Sequence, residues 1–175
     1  MKHLLLTTLA TVLLVGCGPS VDIWEAAATG NIEAVKQHLA AGWDVDAEDN
    51  YESSPLQFAA QGGHKKIVEL LIAGGADVNA NEDGSSPLHI AANREIAELL
   101  ITNGADVNAN KVYGETPLDS ARFHTEIADL LRKHGGKTGE ELKAAGKPTE
   151  PVAEAAQPEP PTAKTAAASQ PSPVT

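Results

Sequence analysis

The hexapeptide Gly-Ala-Asp-Val-Asn-Ala stands at residues 75 to 80 and again at residues 104 to 109. Verbatim recurrence at that spacing marks a chain built by copying one short supersecondary unit, and such a unit cannot bury its apolar face without a neighbour. The expected architecture is therefore a stack of units. A second box precedes each hexapeptide or follows it. It reads Ser54-Pro55-Leu56-Gln57-Phe58-Ala59-Ala60, then Ser86-Pro87-Leu88-His89-Ile90-Ala91-Ala92, then Thr116-Pro117-Leu118-Asp119-Ser120-Ala121. A degenerate earlier copy is visible in Ile23-Trp24-Glu25-Ala26-Ala27 and Gly42-Trp43-Asp44-Val45-Asp46-Ala47, which makes four copies. The successive steps from Ile23 to Leu56, from Leu56 to Leu88 and from Leu88 to Leu118 are 33, 32 and 30 residues. One residue is missing from the link between Ala80 and Gly84, and three from the turn between Ala92 and Ile96, which predicts altered helix geometry in the third and fourth copies.

Within one unit the residue pattern changes in a fixed order. Proline at the first helical position loses nothing, because its absent N–H would have had no partner, and Ser54 or Thr116 ahead of it can cap the helix. Leu56, Ala59 and Ala60 share one helical face, and Ile67, Val68, Leu70, Leu71 and Ile72 supply a second helix. Gly42, Gly75, Gly104 and Gly135 are placed to end the second helices in a left-handed cap. The stretch from Ala76 to Ser85 is then a turn-rich finger leading to the next proline. The small alanines at 26, 27, 59, 60, 91, 92 and 121 let neighbouring helices approach closely.

These boxes, together with Gly63-His64-x-x-Ile67-Val68-Glu69-Leu70-Leu71, closely resemble the ankyrin repeat, a unit of about 33 residues. The resemblance implies an all-α solenoid of helix-turn-helix units with short finger loops over residues 22–136, and a non-catalytic scaffold that holds another protein against its finger tips and first helices. The places that vary in the family fall here on Asn50, Tyr51 and Ser53, on Glu82, Asp83 and Ser85, and on Val112, Tyr113 and Glu115 of the fingers. On the first helices they fall on Glu25, Phe58, Ile90 and Ser120. Tyr51, Phe58, Ile90 and Tyr113 are expected to matter most, because exposed apolar side chains at such places are costly without use. Trp24 and Trp43 lie in the first copy, either covering the open end of the stack or anchoring a partner.

The flanks differ in kind. Lys2 and His3 precede an uncharged apolar run from Leu4 to Val15, too short to span a bilayer, so residues 1–16 are expected to be a secretion signal. Leu14-Val15-Gly16-Cys17 resembles the bacterial lipobox, which implies lipidation at Cys17, a lipidated N-terminal linker at 17–21, and anchoring in the cell envelope. Gly18, where aspartate would favour the inner membrane, implies the outer membrane, with the repeats facing the periplasm or the cell surface. Residues 137–147 contain Thr138-Gly139-Glu140-Glu141, a capping box ahead of a possible closing helix. Residues 148–175, rich in Pro, Ala, Glu, Gln, Ser and Thr, are expected to be a disordered tail.

Charge narrows the partners. Residues 20–136 carry 19 Asp and Glu against 8 Lys and Arg, and so hold the acidity of the chain. Such a body repels phosphate backbones and anionic head groups, which disfavours nucleic acid and favours a monomer that meets a protein partner with a basic patch. No phosphate loop, nucleophile elbow or His-Glu-x-x-His string is present, and no cofactor or metal is expected. His64 and His89 fall where the family uses histidine to hold backbone. The Asp77/Asn79 and Asp106/Asn108 pairs lack the rest of a calcium loop and are expected to order the fingers. Two other readings remain at this point: a tethered spacer whose tail contacts the cell wall, and a metal-binding or enzymatic protein carried on an array.

Overall fold

The computed structural model describes residues 21–80, 84–111 and 113–146. The proposed signal, Cys17, Glu82, Asp83, Val112 and the tail lie outside the described residues. The structure is a stack of helix pairs: α1 (Ile23–Thr29) with α2 (Ile32–Ala40), then α3 (Pro55–Gly62) with α4 (Lys65–Ala73). In the third repeat a 3₁₀ turn (Pro87–Ile90) pairs with α5 (Arg94–Thr102). In the fourth, α6 (Pro117–Ser120), extended by a 3₁₀ turn (Ala121–Phe123), pairs with α7 (Thr125–Lys133), and α8 (Gly139–Ala144) closes the array. No strand occurs among the described residues.

Two helical layers enclose the core. Ile23, Ala26, Ala27, Leu56, Ala59 and Ala60 of the first layer are fully buried, and so are Val35, Ile67, Val68, Leu71, Ile96 and Leu100 of the second. Of the five apolar residues expected to supply the second helix of the second repeat, Leu70 and Ile72 are only half-buried. They flank the stripe that α4 turns toward its neighbours.

Capping sets where each helix begins. Ser54 and Thr116 accept the backbone N–H three residues on, and Gln57 and Asp119 return a bond to the cap's own N–H. After each second helix the chain reverses through a glycine at φ +77 (Gly42), +97 (Gly75), +93 (Gly104) or +84 (Gly135). The next N–H then reaches back to the last helical turn, as in Ala76 to Leu71 O at 3.0 Å and Ala105 to Leu100 O at 3.0 Å. That is the six-to-one bond of a Schellman cap.

The clipped turn has a visible outcome. α3 runs eight residues, but in the third repeat the chain leaves the helix after one turn, with Ala91 at φ −56 and ψ 120. Leu88 stands only five residues before the Asn93 cap of α5, where Leu56 stands eight before the His64 cap of α4, and the Asn93 side chain accepts the N–H of Ile96 at 3.0 Å. The freed Ala92 N–H is satisfied by Ala60 O of the previous repeat at 3.1 Å.

A last short helix, α8, follows the fourth repeat. Thr138 and Glu141 make its capping box, and Leu142 is buried. Gly139 is required there, since a Cβ would collide with the carbonyl oxygen of Gly114, and its N–H bonds Asp119 Oδ2 at 2.8 Å.

Candidate functional site

Finger 1 is shaped by its own side chains. Asp49 Oδ1 accepts the backbone N–H groups of Tyr51 and Ser53, both at 2.9 Å, and the Asp49 N–H donates to Ser53 O at 3.1 Å. A short polar side chain that folds back on the next residues makes a turn without needing a core. The corresponding bond at the third finger runs from Lys111 N–H to Glu115 O at 2.8 Å. There the tip is Tyr113, at φ +77, followed by Gly114 at φ +79. Tyr51 and Tyr113 thus stand three residues before the capping Ser54 and Thr116, at equivalent places, and are 80% and 94% exposed.

Successive fingers are laced together. Asp46 Oδ1 accepts Asp77 N–H at 2.9 Å, Asn79 Oδ1 accepts Asp106 N–H at 2.8 Å, and Asn108 Oδ1 accepts Lys137 N–H at 2.9 Å. The amide nitrogens of Asn79 and Asn108 donate to Gly104 O and Gly135 O at 3.1 and 3.3 Å. These side chains order the fingers, and among the described residues no cluster of three or more potential metal ligands occurs.

The histidines hold backbone as well. His64 Nε2 donates to Ala28 O at 2.9 Å, with its ring packed over Gly30 and Gly62. His38, which the sequence left without a role, is buried with Nε2 on Val21 O at 2.8 Å and its ring edge-on to Trp43 at 4.9 Å. His89 Nδ1 takes the Ser86 N–H at 3.2 Å and lies 2.8 Å from the Ser86 hydroxyl, while Nε2 donates to Glu115 O at 3.3 Å. Burial pulls its pKa down to about 4, against the opposing pull of the bond to Glu115. Burial raises the Asp119 carboxyl, but bonds from Gly139 N–H and from Thr116 outweigh it and leave the group below the usual carboxylate range.

Phe58 and Ile90 are half-buried, Phe58 resting against the core, while Glu25 is exposed. Ser53, Ser85 and Ser120 are half-buried, and Glu115 is exposed within 3.9 Å of Lys111 Nζ. Trp24 is half-buried, and its indole N–H donates to Ala47 O at 2.8 Å, tying α1 to finger 1. Trp43 is 51% exposed. Asp22, Glu48 and Asp49 join Trp24, Glu25, Tyr51 and Phe58 around one open groove. Acidic residues in an acid-rich chain gave no sequence signal for that convergence. Phe123, 82% exposed at the clipped turn of the fourth repeat with the Arg122 guanidinium 5.1 Å from its ring centre, was also not singled out.

A family model described as Ankyrin repeats (3 copies) matches residues 23–111. Cyclin-dependent kinase 4 inhibitor B of Bos taurus is 32% identical over 131 residues, spanning 71% of this chain and 99% of that protein. The ankyrin repeat-containing protein P1E11.10 of Schizosaccharomyces pombe is 35% identical over 75 residues, 42% of this chain and 36% of that protein. Helix pairs, laced fingers and backbone-holding histidines agree with those matches, and the chain belongs to the ankyrin repeat family.

Proposed function

We propose that this chain is a lipid-anchored scaffold of the bacterial cell envelope that holds a protein partner against its finger tips and first helices. Ankyrin repeats are protein-interaction scaffolds and typically carry no catalysis, and a relative named as an inhibitor of a kinase fits a role exercised by binding. The observation that carries the binding face is the pair Tyr51 and Tyr113, two tyrosines at equivalent finger tips whose rings stand almost wholly in solvent. Aromatic side chains in such positions are frequent anchors of interfaces. The Leu14 to Cys17 string supports the lipid anchor, and the single cysteine of the chain is the residue it would modify.

Photo-crosslinkers placed at Tyr51, at Tyr113 and at the exposed Glu98 on α5 test the face in intact cells. Capture of one partner from both finger tips and none from Glu98 is expected. Equal capture from all three, or none from the tips, overturns the reading. Mass spectrometry of the mature N-terminus tests the anchor: a diacylated Cys17 is expected, and an unmodified cysteine or cleavage elsewhere removes it.

A further inference from the structure

Three of the chain's six Phe, Trp and Tyr residues meet in one place. Trp24 on α1, Tyr51 on finger 1 and Phe58 on α3 line an open groove of about 380 Å³, and Asp22, Glu25 and Asp49 bring carboxylates into the same walls. Among the described residues no Lys or Arg lines it. The walls are set in advance: the Trp24 N–H is held by Ala47 O, and Asp49 Oδ1 holds the amides on either side of the finger tip. A groove already in its binding geometry loses little entropy when filled.

The lining selects the occupant. Ring faces attract a cation through their quadrupole, and nearby carboxylates add charge attraction. A neutral apolar side chain would desolvate those carboxylates without pairing them. An anion would be repelled. Between the two basic side chains, the guanidinium stacks flat on a ring and can pair a carboxylate through two N–H groups, which the compact ammonium cannot. At the far end of the array the comparable groove has one aromatic residue, Tyr113, and already contains Lys143.

We propose that the groove between α1, finger 1 and α3 seats an arginine side chain presented by an extended basic segment of the partner protein. This rests on the scaffold reading above and names the partner chemistry of its first two repeats.

The test uses the full chain, isotope-labelled, and a peptide of alternating glycine and arginine. The chain has two tryptophans, so the indole N–H signals of Trp24 and Trp43 give one reporter in the groove and one outside it. The peptide is expected to shift Trp24 and leave Trp43 in place, and a citrulline counterpart, planar but uncharged, to bind at least about tenfold more weakly, one decade being 1.4 kcal/mol. Glu25→Gln and Tyr51→Ala should each weaken binding about three- to fivefold, the size of an exposed cation–π or ion contact. Glu126→Gln combined with Asp129→Asn on the exposed face of α7 removes more charge and should change it less than about twofold, as expected for screened, distant charges.

Equal weakening by the α7 variant would mean diffuse attraction of a polycation and would overturn the assignment, as would undiminished citrulline binding or a shift confined to Trp43. The two readings fail separately. If finger-tip crosslinking still captures the partner while the arginine peptide ignores the groove, the arginine assignment falls and the scaffold stands. If the tips capture nothing, the scaffold reading falls first.

Discussion

Asn79 reaches into the next repeat and accepts the backbone N–H of Asp106 on its side-chain oxygen at 2.8 Å. Its nitrogen donates to Gly104 O at 3.1 Å, so one amide satisfies a donor and an acceptor at the helix end where the chain reverses. Asn108 does the same for Lys137 and Gly135. Successive repeats are therefore joined by polar rungs along the fingers as well as by the apolar layers. Asn79→Asp keeps the acceptor, removes the donor and sets a carboxylate beside a carbonyl oxygen. It should cost about 1 kcal/mol in denaturant unfolding, the size of one net hydrogen bond. A variant as stable as the parent would show the rungs to be incidental.

His89 makes stability depend on pH. Its pKa is about 4 in the folded chain against about 6.5 for a free histidine. The unfolded chain therefore binds the proton first, and between those values a fall in pH favours unfolding. The contribution is fully present above about pH 6.5, declines as pH falls and is gone near pH 4, a total of about 3 kcal/mol. Gln57 shows what would remove it. At the same place in the second repeat it caps Ser54 and donates to Ser85 O at 2.5 Å, without a titrating group. Unfolding midpoints of the parent and His89→Gln at pH 7, 5.5 and 4 should diverge at pH 7 least and at pH 4 most. A parent whose midpoint is flat across that range would remove the argument.

Burial decides which leucine of α4 matters. Leu71 is fully buried between repeats and Leu70 is half-buried. Leu71→Ala should cost about 2–5 kcal/mol, as core truncations do, and Leu70→Ala clearly less. In a linear array the loss is shared with the neighbouring repeats, so the whole transition should shift. Equal losses at the two positions would mean that α4 is rotated from the orientation described.

Much of this structure was legible in the sequence because the repeat writes its own punctuation. Pro55, Pro87 and Pro117 mark helix starts and Gly75 and Gly104 mark reversals, each through a local backbone preference that needs no knowledge of the rest of the chain. The roles of His64 and His89 followed from their places in the motif. The shortening at Ala91 was legible as a deficit of three residues, but its outcome, a single 3₁₀ turn with Ala92 bonded to Ala60, depends on how the neighbouring repeat presents a carbonyl. The groove was least legible. Asp22, Asp49 and Phe58 belong to three separate segments, and only the stacking of α1 on α3 beneath finger 1 brings them together.

Tyr113 joins a backbone cost to an exposed ring, and the two can be separated. At φ +77 it occupies the left-handed region, which costs a non-glycine residue about 1–2 kcal/mol. Nothing in the fold recovers that cost through burial, because the side chain is 94% exposed. Tyr113→Gly relieves the strain but frees the unfolded chain by about 0.5–1 kcal/mol. The melting transition should therefore hold or rise slightly. Loss of the ring should at the same time weaken binding of the crosslinked partner by about 1 kcal/mol or more if Tyr113 is an anchor. Thermal unfolding and affinity measured on the same preparation decide between the alternatives. A drop in both would make the tyrosine part of the fold. Unchanged binding with raised stability would leave the strain without a function and remove the third finger from the proposed surface.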